Sequence, residues 1–155
     1  MPVKILFVCS GNTCRSPMAQ ALARRLLADS PGARAGVVEV SSAGVMAGPG
    51  GPSANAIAAM AELGIDISGH RAKNLSLEDV LSADLVLTMT GHHKEAVLAS
   101  APGAGGKVFT LGEYAGEDMN VEDPYLRPLD VYRRCARTLE YLVSRSLKRF
   151  FDSTP

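Results

Sequence analysis

The sequence predicts an α/β fold: a single three-layer domain in which a four-stranded parallel sheet is flanked by helices on both faces. Short apolar runs alternate along the chain with longer runs of helical periodicity, and strands that alternate with helices form parallel sheets covered on both sides. The chain has 155 residues, a length that suits one domain around one core. We therefore expect residues 1–155 to form a single domain.

The first strand is predicted from Val3 to Cys9, because this almost continuous apolar run suits a strand that is buried on both faces. Residues 16–29 then show helical periodicity. Ser16 is expected to cap this helix and Pro17 to occupy its first position, since serine favours the N-cap and proline favours the first turn.

The middle of the chain continues the alternation of strands and helices. A second strand is predicted from Val37 to about Ser42, and a helix is predicted to begin near Ser53 and to end at Gly64. Ser76 and Asp79 have the spacing of a capping box. The remaining predictions are a short helix over residues 76–83, a strand over 84–90, a helix over 92–100 and a strand over 107–111.

The C-terminal part of the chain is predicted to form a loop followed by a long helix. Residues 116–130 are polar and acidic, as is typical of an exposed loop, and residues 130–151 form the longest helical pattern of the chain. The expected apolar face of this helix contains Val131, Cys135, Leu139, Leu142 and Val143.

Composition and charge exclude several classes of partner. Lysine and arginine together number 16, as do aspartate and glutamate, so the formal net charge is zero. This balance gives no electrostatic reason to expect binding to nucleic acid or to an anionic membrane surface. No apolar run approaches the roughly 20 residues that cross a bilayer. Three cysteines are too few, and odd in number, for a secreted disulfide framework, so a cytoplasmic location is expected.

The segment from Cys9 to Ser16 carries the chemistry that the sequence suggests. It follows a strand and precedes a helix, the place where parallel sheets bind ligands and where backbone N–H groups and a helix dipole favour anions. Gly11 and Asn12 accept the unusual backbone angles that a tight anion cradle requires. Arg15 offers a planar fork that matches two phosphate oxygens. The same charges stabilise a thiolate at Cys9, which would then attack phosphorus in line.

Other roles for the two thiols of this loop, Cys9 and Cys14, are less consistent with the chain. A zinc site usually needs four ligands, and no second pair of cysteines or histidines has a familiar spacing. A structural disulfide does not suit a reducing compartment. A core position would suit either cysteine alone, but it would not explain Arg15 and the helix that follows.

The reaction also needs an acid that protonates the leaving group. Asp123, followed by Pro124 and Tyr125 in a loop late in the chain, is the best candidate. Asp-Pro alone usually marks only a turn, and it becomes informative in combination with the cysteine loop.

The strings "VCSGNTCRSPMA" and "EDPY", together with "SSAG" and "DLVLTMT", resemble the low-molecular-weight protein-tyrosine-phosphatase family over essentially the whole chain. The resemblance implies the fold predicted above, no metal, no cofactor and phosphorylated proteins as substrates. It also implies that Cys9 becomes phosphocysteine and that Asp123 is first the acid and then the base that activates water. The residues that it implies for phosphate and substrate binding are Ser10, Gly11, Asn12, Thr13, Cys14, Arg15 and Tyr125.

The same resemblance assigns supporting roles around the loop. Ser16 and Ser42 are implied as hydroxyl supports, and Cys14 is implied to form a reversible disulfide with Cys9 that protects it from over-oxidation. The three histidines are interpreted as surface or helix-end residues: His70, His92 and His93. By the resemblance, His70 also matches a residue that supports the loop.

The substrate depends on Thr13, where tyrosine-directed members usually carry an aliphatic residue. Threonine at this position is closer to the bacterial protein arginine phosphatases. Phosphoarginine presents a flat guanidinium with many donors, and an apolar wall would leave those donors unpaired. Tyr125, in contrast, is more typical of tyrosine-directed members, and the glycine pair common after that aromatic is replaced here by Leu126 and Arg127. A protein-tyrosine phosphatase therefore remains the alternative.

Two further alternatives are disfavoured by particular residues. A thioredoxin-coupled arsenate reductase needs two more cysteines late in the chain, and only Cys135 is present, on an apolar helix face where a core role is ordinary. A non-catalytic anion-binding module would not need Cys9, Arg15 and Asp123 together.

Overall fold

The computed structural model describes residues 2–30 and 37–153. They form four strands and six α-helices, with one short 3-10 helix at Pro102–Ala104. The strands are β1 (Val3–Cys9), β2 (Val38–Gly44), β3 (Leu85–Thr88) and β4 (Val108–Thr110). The helices are α1 (Arg15–Ala28), α2 (Ala54–Ala61), α3 (Leu77–Ser82), α4 (Gly91–Ser100), α5 (Leu111–Tyr114) and α6 (Leu129–Ser153).

The four strands form one parallel sheet in the order β2-β1-β3-β4, which confirms the predicted fold class. The chain moves from β1 to one edge of the sheet and then crosses to the other side of β1. The strand order therefore reverses beside β1, and in sheets of this kind ligands bind at the carboxyl ends of the strands near such a reversal. Cys9 is the last residue of β1 and is paired with Gly44 at the end of β2.

Side chains of β1 alternate between the two faces of the sheet. Ile5, Phe7 and Cys9 join the core formed with α1, α2 and α6, whereas Leu6 and Val8 join the core on the opposite face. A strand buried on both faces explains the continuous apolar run in the sequence. The predicted apolar face of α6 is buried as expected, at Val131, Cys135, Leu139, Leu142 and Val143.

The predicted start of the first helix is wrong. The helix begins at Arg15, its N-cap is Cys14, and no side chain caps it. Pro17 is therefore the third residue of the helix and has no N–H for a capping side chain to bind. The Ser16 hydroxyl is directed to the preceding loop instead, and the first N–H groups of α1 stay open to an anion.

Other boundaries differ by a few residues from the predictions. β2 continues to Gly44 rather than ending near Ser42, and β3 and β4 are shorter than expected. The helix α5 was not predicted: Thr110 caps it in a capping box with Glu113. The predicted capping box of Ser76 and Asp79 is present at the start of α3.

Candidate active site

The loop between β1 and α1 holds the Cys9 thiol against a hydroxyl. Cys9 is buried, and its Sγ lies 2.9 Å from the Ser16 Oγ. The side-chain amide of Asn12 donates to the same Oγ at 2.8 Å. Because Ser16 already accepts this bond, its own proton is free to point at the sulfur, where it would stabilise a negative charge.

Asn12 fixes the conformation of the loop from the buried side, away from the cavity. It is fully buried and has a left-handed backbone, with φ at 57°. Its amide also donates to the Ser42 hydroxyl at 2.9 Å, while its Oδ1 accepts from the Lys73 N–H at 3.0 Å. The His70 Nε2 donates to the Asn12 carbonyl at 2.9 Å. Every polar group of this side chain is thus used, which fixes an otherwise strained turn.

The loop also packs directly on the end of β2. A Cβ at Gly44 would lie 2.5 Å from the Ser10 carbonyl oxygen and 2.9 Å from the Asn12 nitrogen. The next two residues of the chain, Val45 and Met46, donate their N–H groups to the carbonyls of Cys9 and Ser10, both at 2.9 Å. The glycine of "SSAG" is therefore required for this close approach.

The backbone N–H groups of the loop are open. Within residues 2–30 and 37–153, none of those from Ser10 to Arg15 donates to a protein acceptor. They follow a strand end and lead into the unsatisfied N-terminus of α1, an arrangement that favours an anion.

Arg15 and Asp123 meet at the mouth of this loop. The buried Arg15 donates through Nη1 to the Val121 carbonyl at 3.1 Å, and its Nη2 lies 3.5 Å from the Asp123 Oδ2. Asp123 is half exposed, and its Oδ1 accepts the Tyr125 N–H at 3.1 Å. The Asp-Pro-Tyr turn thus directs a carboxylate at the guanidinium, about 110 residues away in sequence.

His93 was predicted to be a surface or helix-end residue. It does lie in the first turn of α4, but it is not on the surface. Its side chain is buried, with the Nε2 at 2.8 Å from the Ser10 Oγ and the Nδ1 at 3.1 Å from the Thr90 Oγ1. Burial, with the positive charge of Arg15 adding to it, lowers the pKa of His93 to about 4. The imidazole is therefore uncharged near neutral pH.

The second thiol of the loop, Cys14, has a different environment from Cys9. Its Sγ lies 3.3 Å from the Ser53 Oγ and 3.4 Å from the Tyr132 hydroxyl. Burial raises the pKa of Tyr132 to about 12, so this hydroxyl stays protonated beside the sulfur. The third thiol, Cys135, belongs to the core, and burial raises its pKa to about 12. An unreactive core cysteine agrees with its position on α6.

A cavity of about 420 Å³ opens above the loop. Asn12, Ser16 and Ser42 do not line it and hold the loop from behind. A larger cleft of about 540 Å³, at Lys4, Arg24 and Glu39, lies at the other end of the strands and has no cysteine or histidine in its lining. The residues that line the cavity above the loop are Cys9, Ser10, Gly11, Thr13, Cys14, Arg15, Met46, Gly48, Pro49, Asp123 and Tyr125.

Sequence reasoning missed two contacts of this site, that of His93 with Ser10 and that of Tyr132 with Cys14. Each joins residues more than 80 positions apart, and no local pattern signals either one. Among the described residues, no three histidine, cysteine, aspartate or glutamate side chains come together as metal ligands. In the same part of the chain, no helix has the length and apolar character needed to cross a membrane.

The arrangement suits nucleophilic attack on a tetrahedral oxyanion. A buried thiol with a hydroxyl donor lies among open N–H groups and a guanidinium, and a carboxylate lies at the mouth of the same cavity. The donors would hold the oxyanion above the sulfur, and the carboxyl group would exchange a proton with a leaving group or with water.

Comparisons with known proteins agree with this geometry. The family described as low molecular weight phosphotyrosine protein phosphatase matches residues 4–152. A protein-arginine-phosphatase of Geobacillus stearothermophilus is 43% identical over 147 residues, which cover 94% of each chain. A probable low molecular weight protein-tyrosine-phosphatase EpsP of Ralstonia nicotianae is 43% identical over 137 residues, or 88% of each chain.

A solved structure of an arginine phosphatase has a similar fold to this chain. A mutant of the arginine phosphatase YwlE with a phosphorylated active-site serine superposes with a TM-score of 0.87 at 39% identity, and the match covers 97% of each chain.

Proposed function

The chain belongs to the low-molecular-weight phosphotyrosine protein phosphatase family, and from this premise we propose that it hydrolyses phosphoarginine on proteins through a phosphocysteine at Cys9. Enzymes of this family are hydrolases of phosphoproteins, and this chain is one of them.

In the first step, the Cys9 thiolate attacks phosphorus and the bond between phosphorus and the leaving nitrogen breaks. The open N–H groups from Ser10 to Arg15 and the Arg15 guanidinium hold the phosphoryl oxygens. Asp123 gives its proton to the leaving nitrogen, so that arginine departs without a negative charge. The position of Asp123 supports this role, because its Oδ2 lies 3.5 Å from the Arg15 Nη2 and the carboxyl group is therefore next to the donors that would hold the phosphoryl group.

In the second step, water attacks the phosphorus of phosphocysteine. The Asp123 carboxylate takes a proton from this water, the bond between sulfur and phosphorus breaks, and inorganic phosphate leaves. Cys9 returns as a thiolate that the Ser16 hydroxyl stabilises at 2.9 Å. Both steps use only side chains, backbone N–H groups and water.

The observation that carries the substrate assignment is the position of Thr13 in the lining of the cavity. Thr13 lies on the wall next to which the substrate side chain would pass, and a threonine hydroxyl there could accept a hydrogen bond from a guanidinium. An aliphatic residue at this point would instead suit an aromatic ring. The match with a protein-arginine-phosphatase supports the same substrate, since it covers 94% of each chain, against 88% for the equally identical probable protein-tyrosine-phosphatase EpsP.

The test compares kcat/KM for phosphoarginine and phosphotyrosine peptides in the wild type and in Thr13→Ile. We expect the wild type to prefer phosphoarginine and the substitution to shift the ratio towards phosphotyrosine by about tenfold or more. Thr13→Ser, which keeps the hydroxyl, is the matched control and should retain the wild-type preference. Equal or greater wild-type activity on phosphotyrosine would contradict the substrate assignment but not the chemistry at Cys9.

A protein-tyrosine phosphatase is the second candidate, and Tyr125 is the observation that favours it. This aromatic residue lines the cavity next to Asp123 and is 57% exposed, so it could stack on a phosphotyrosine ring. The same peptide comparison decides between the two candidates.

We also propose a cytoplasmic setting for the enzyme. A nucleophilic thiolate must stay reduced, so we place its action in the cytoplasm, on phosphorylated proteins and without a nucleic-acid partner. Cys14, which shares the loop with Cys9, is proposed as the thiol that captures an oxidised Cys9 in a reversible disulfide.

A further inference from the structure

The loop is attached to both neighbours of β1 in the sheet. On the β2 side, Asn12 binds Ser42 and the loop packs on Gly44. On the β3 side, the side chain of Ser10 binds His93, which is the third residue of α4, just after the end of β3. Ser10 directly follows Cys9 and is exposed, so the His93 contact restrains a loop residue that would otherwise be held only through its backbone.

His93 is itself held in a fixed orientation by Thr90. The Thr90 Oγ1 caps α4 by accepting the His93 backbone N–H at 3.3 Å, and it also lies 3.1 Å from the His93 Nδ1. Because the Thr90 oxygen accepts the capping bond, its hydroxyl proton is free to be donated to Nδ1. Nδ1 is then the acceptor of the ring, and the ring's own proton is on Nε2. The Nε2–H then donates to the Ser10 Oγ at 2.8 Å.

We propose that His93 is a positioning residue of the phosphate-binding loop, whose imidazole bridges the hydroxyls of Thr90 and Ser10 and fixes the loop residue next to the nucleophile. The inference rests on the proposed function, because it concerns the loop that binds the phosphoryl group. It goes further in that it assigns a role to a residue that does not line the cavity.

The surroundings of His93 keep its ring uncharged, so that the bridge always has the same donor and the same acceptor. The charged or titratable groups that act on the ring are Arg15, Asp123 and His92, and Arg15 together with burial opposes protonation. An uncharged ring has one donor and one acceptor, which is what the bridge between two hydroxyls uses.

The test compares His93→Gln with His93→Asn. The glutamine amide extends about as far as the Nε2 and can still bond to Ser10, whereas the shorter asparagine amide reaches only as far as the Nδ1. Turnover of a chromogenic aryl phosphate and inhibition by inorganic phosphate are measured for each variant, together with thermal unfolding. For His93→Asn we expect kcat/KM to fall about five- to tenfold and phosphate binding to weaken by a similar factor, as for one lost hydrogen bond.

His93→Gln should stay within about twofold of the wild type, a rescue that one hydrogen bond accounts for. Equal losses in His93→Gln and His93→Asn, or a lowered Tm with unchanged kinetics and phosphate binding, would overturn the proposal. His92→Asn is the matched control, since the neighbouring His92 side chain is 95% exposed, and it should behave as the wild type.

A double-mutant cycle with Ser10→Ala locates the effect. Ser10→Ala removes the hydroxyl but keeps the backbone N–H, and we expect it to match His93→Asn, with the double variant no worse than either. Additive losses would show that His93 acts elsewhere. Binding of inorganic phosphate by calorimetry is independent of turnover: if the wild type failed to hydrolyse any phosphoester or phosphoarginine peptide, the proposed function would fail, and weaker phosphate binding in His93→Asn would still support the positioning role.

Discussion

The Asn12 side-chain amide donates to the Ser16 hydroxyl at 2.8 Å, which leaves the hydroxyl proton free for the Cys9 sulfur, 2.9 Å from the same oxygen. Two residues therefore support the Cys9 thiol: Ser16, in the first turn of α1, contacts the sulfur, and Asn12, in the loop, binds Ser16. The two hydrogen bonds connect the geometry of the turn with the environment of the Cys9 thiol.

Ser16→Ala removes the hydroxyl donor next to the sulfur. We expect kcat to fall about tenfold, because one hydrogen bond to a charged atom is lost. The rate at which iodoacetamide alkylates Cys9 at neutral pH should fall in parallel, measured by mass spectrometry of the Cys9 peptide. An alkylation rate equal to that of the wild type would contradict the role of Ser16.

Asp123→Asn removes the carboxyl group at the mouth of the cavity that we propose as the proton donor. For phenyl phosphate, whose leaving group is poor, we expect kcat/KM to fall by about 10²-fold or more. The loss should be much smaller for p-nitrophenyl phosphate, whose leaving group needs less protonation. If both substrates lost activity equally, Asp123 would not be the acid.

Gly44→Ala places a Cβ at 2.5 Å from the Ser10 carbonyl oxygen, so the loop must move. We expect the free energy of unfolding to fall by about 1–3 kcal/mol. The displaced loop should also lose most of its phosphatase activity. Gly103→Ala is the control, because nothing lies within 4 Å of a Cβ at that position. Normal activity in Gly44→Ala, measured beside a urea denaturation curve, would show that the contact is not needed.

Leu126→Gly should stabilise the protein. Leu126 has a left-handed backbone, with φ at 61°, and its side chain is 83% exposed, so little packing is lost. The relief of the left-handed strain exceeds the entropy cost of glycine, and we expect a gain of up to about 1 kcal/mol. Leu81→Gly, at another exposed leucine but within α3, should instead destabilise by about 0.5–1 kcal/mol. Denaturation curves that move both variants in the same direction would contradict this prediction.

Stability should depend on pH through His93. Its pKa is lowered from 6.5 to about 4 in the folded protein, so the unfolded chain binds more protons between these values. Stability from this source is present above pH 6.5 and is lost as the pH falls towards 4. Between pH 7 and pH 4.5 we expect the wild type to lose on the order of 2 kcal/mol more than His93→Gln. Urea denaturation at the two pH values measures this difference, and equal losses in both proteins would refute it.

Much of the local structure is predictable from neighbouring residues. The bounds of β1, the capping box of Ser76 and Asp79 and the left-handed Gly64, with φ at 77°, follow from burial and from the preferences of single residue types. The cysteine loop between strand and helix is predictable for the same reason. Its residues lie next to one another in the chain, and the spacing from Cys9 to Arg15 is enough to indicate an anion cradle with a thiol.

The sequence by itself determined the fold class and the placement of Cys9, Arg15 and the residues between them in one loop after a strand, because each depends on local patterns. Only the tertiary structure decided that Ser16 does not cap its helix, that His93 binds Ser10, and that Tyr132 binds Cys14. These pairings depend on which strands lie beside β1 and where α4 and α6 pack. The strand order β2-β1-β3-β4 is set by the packing of the whole core, and no short stretch of sequence encodes it.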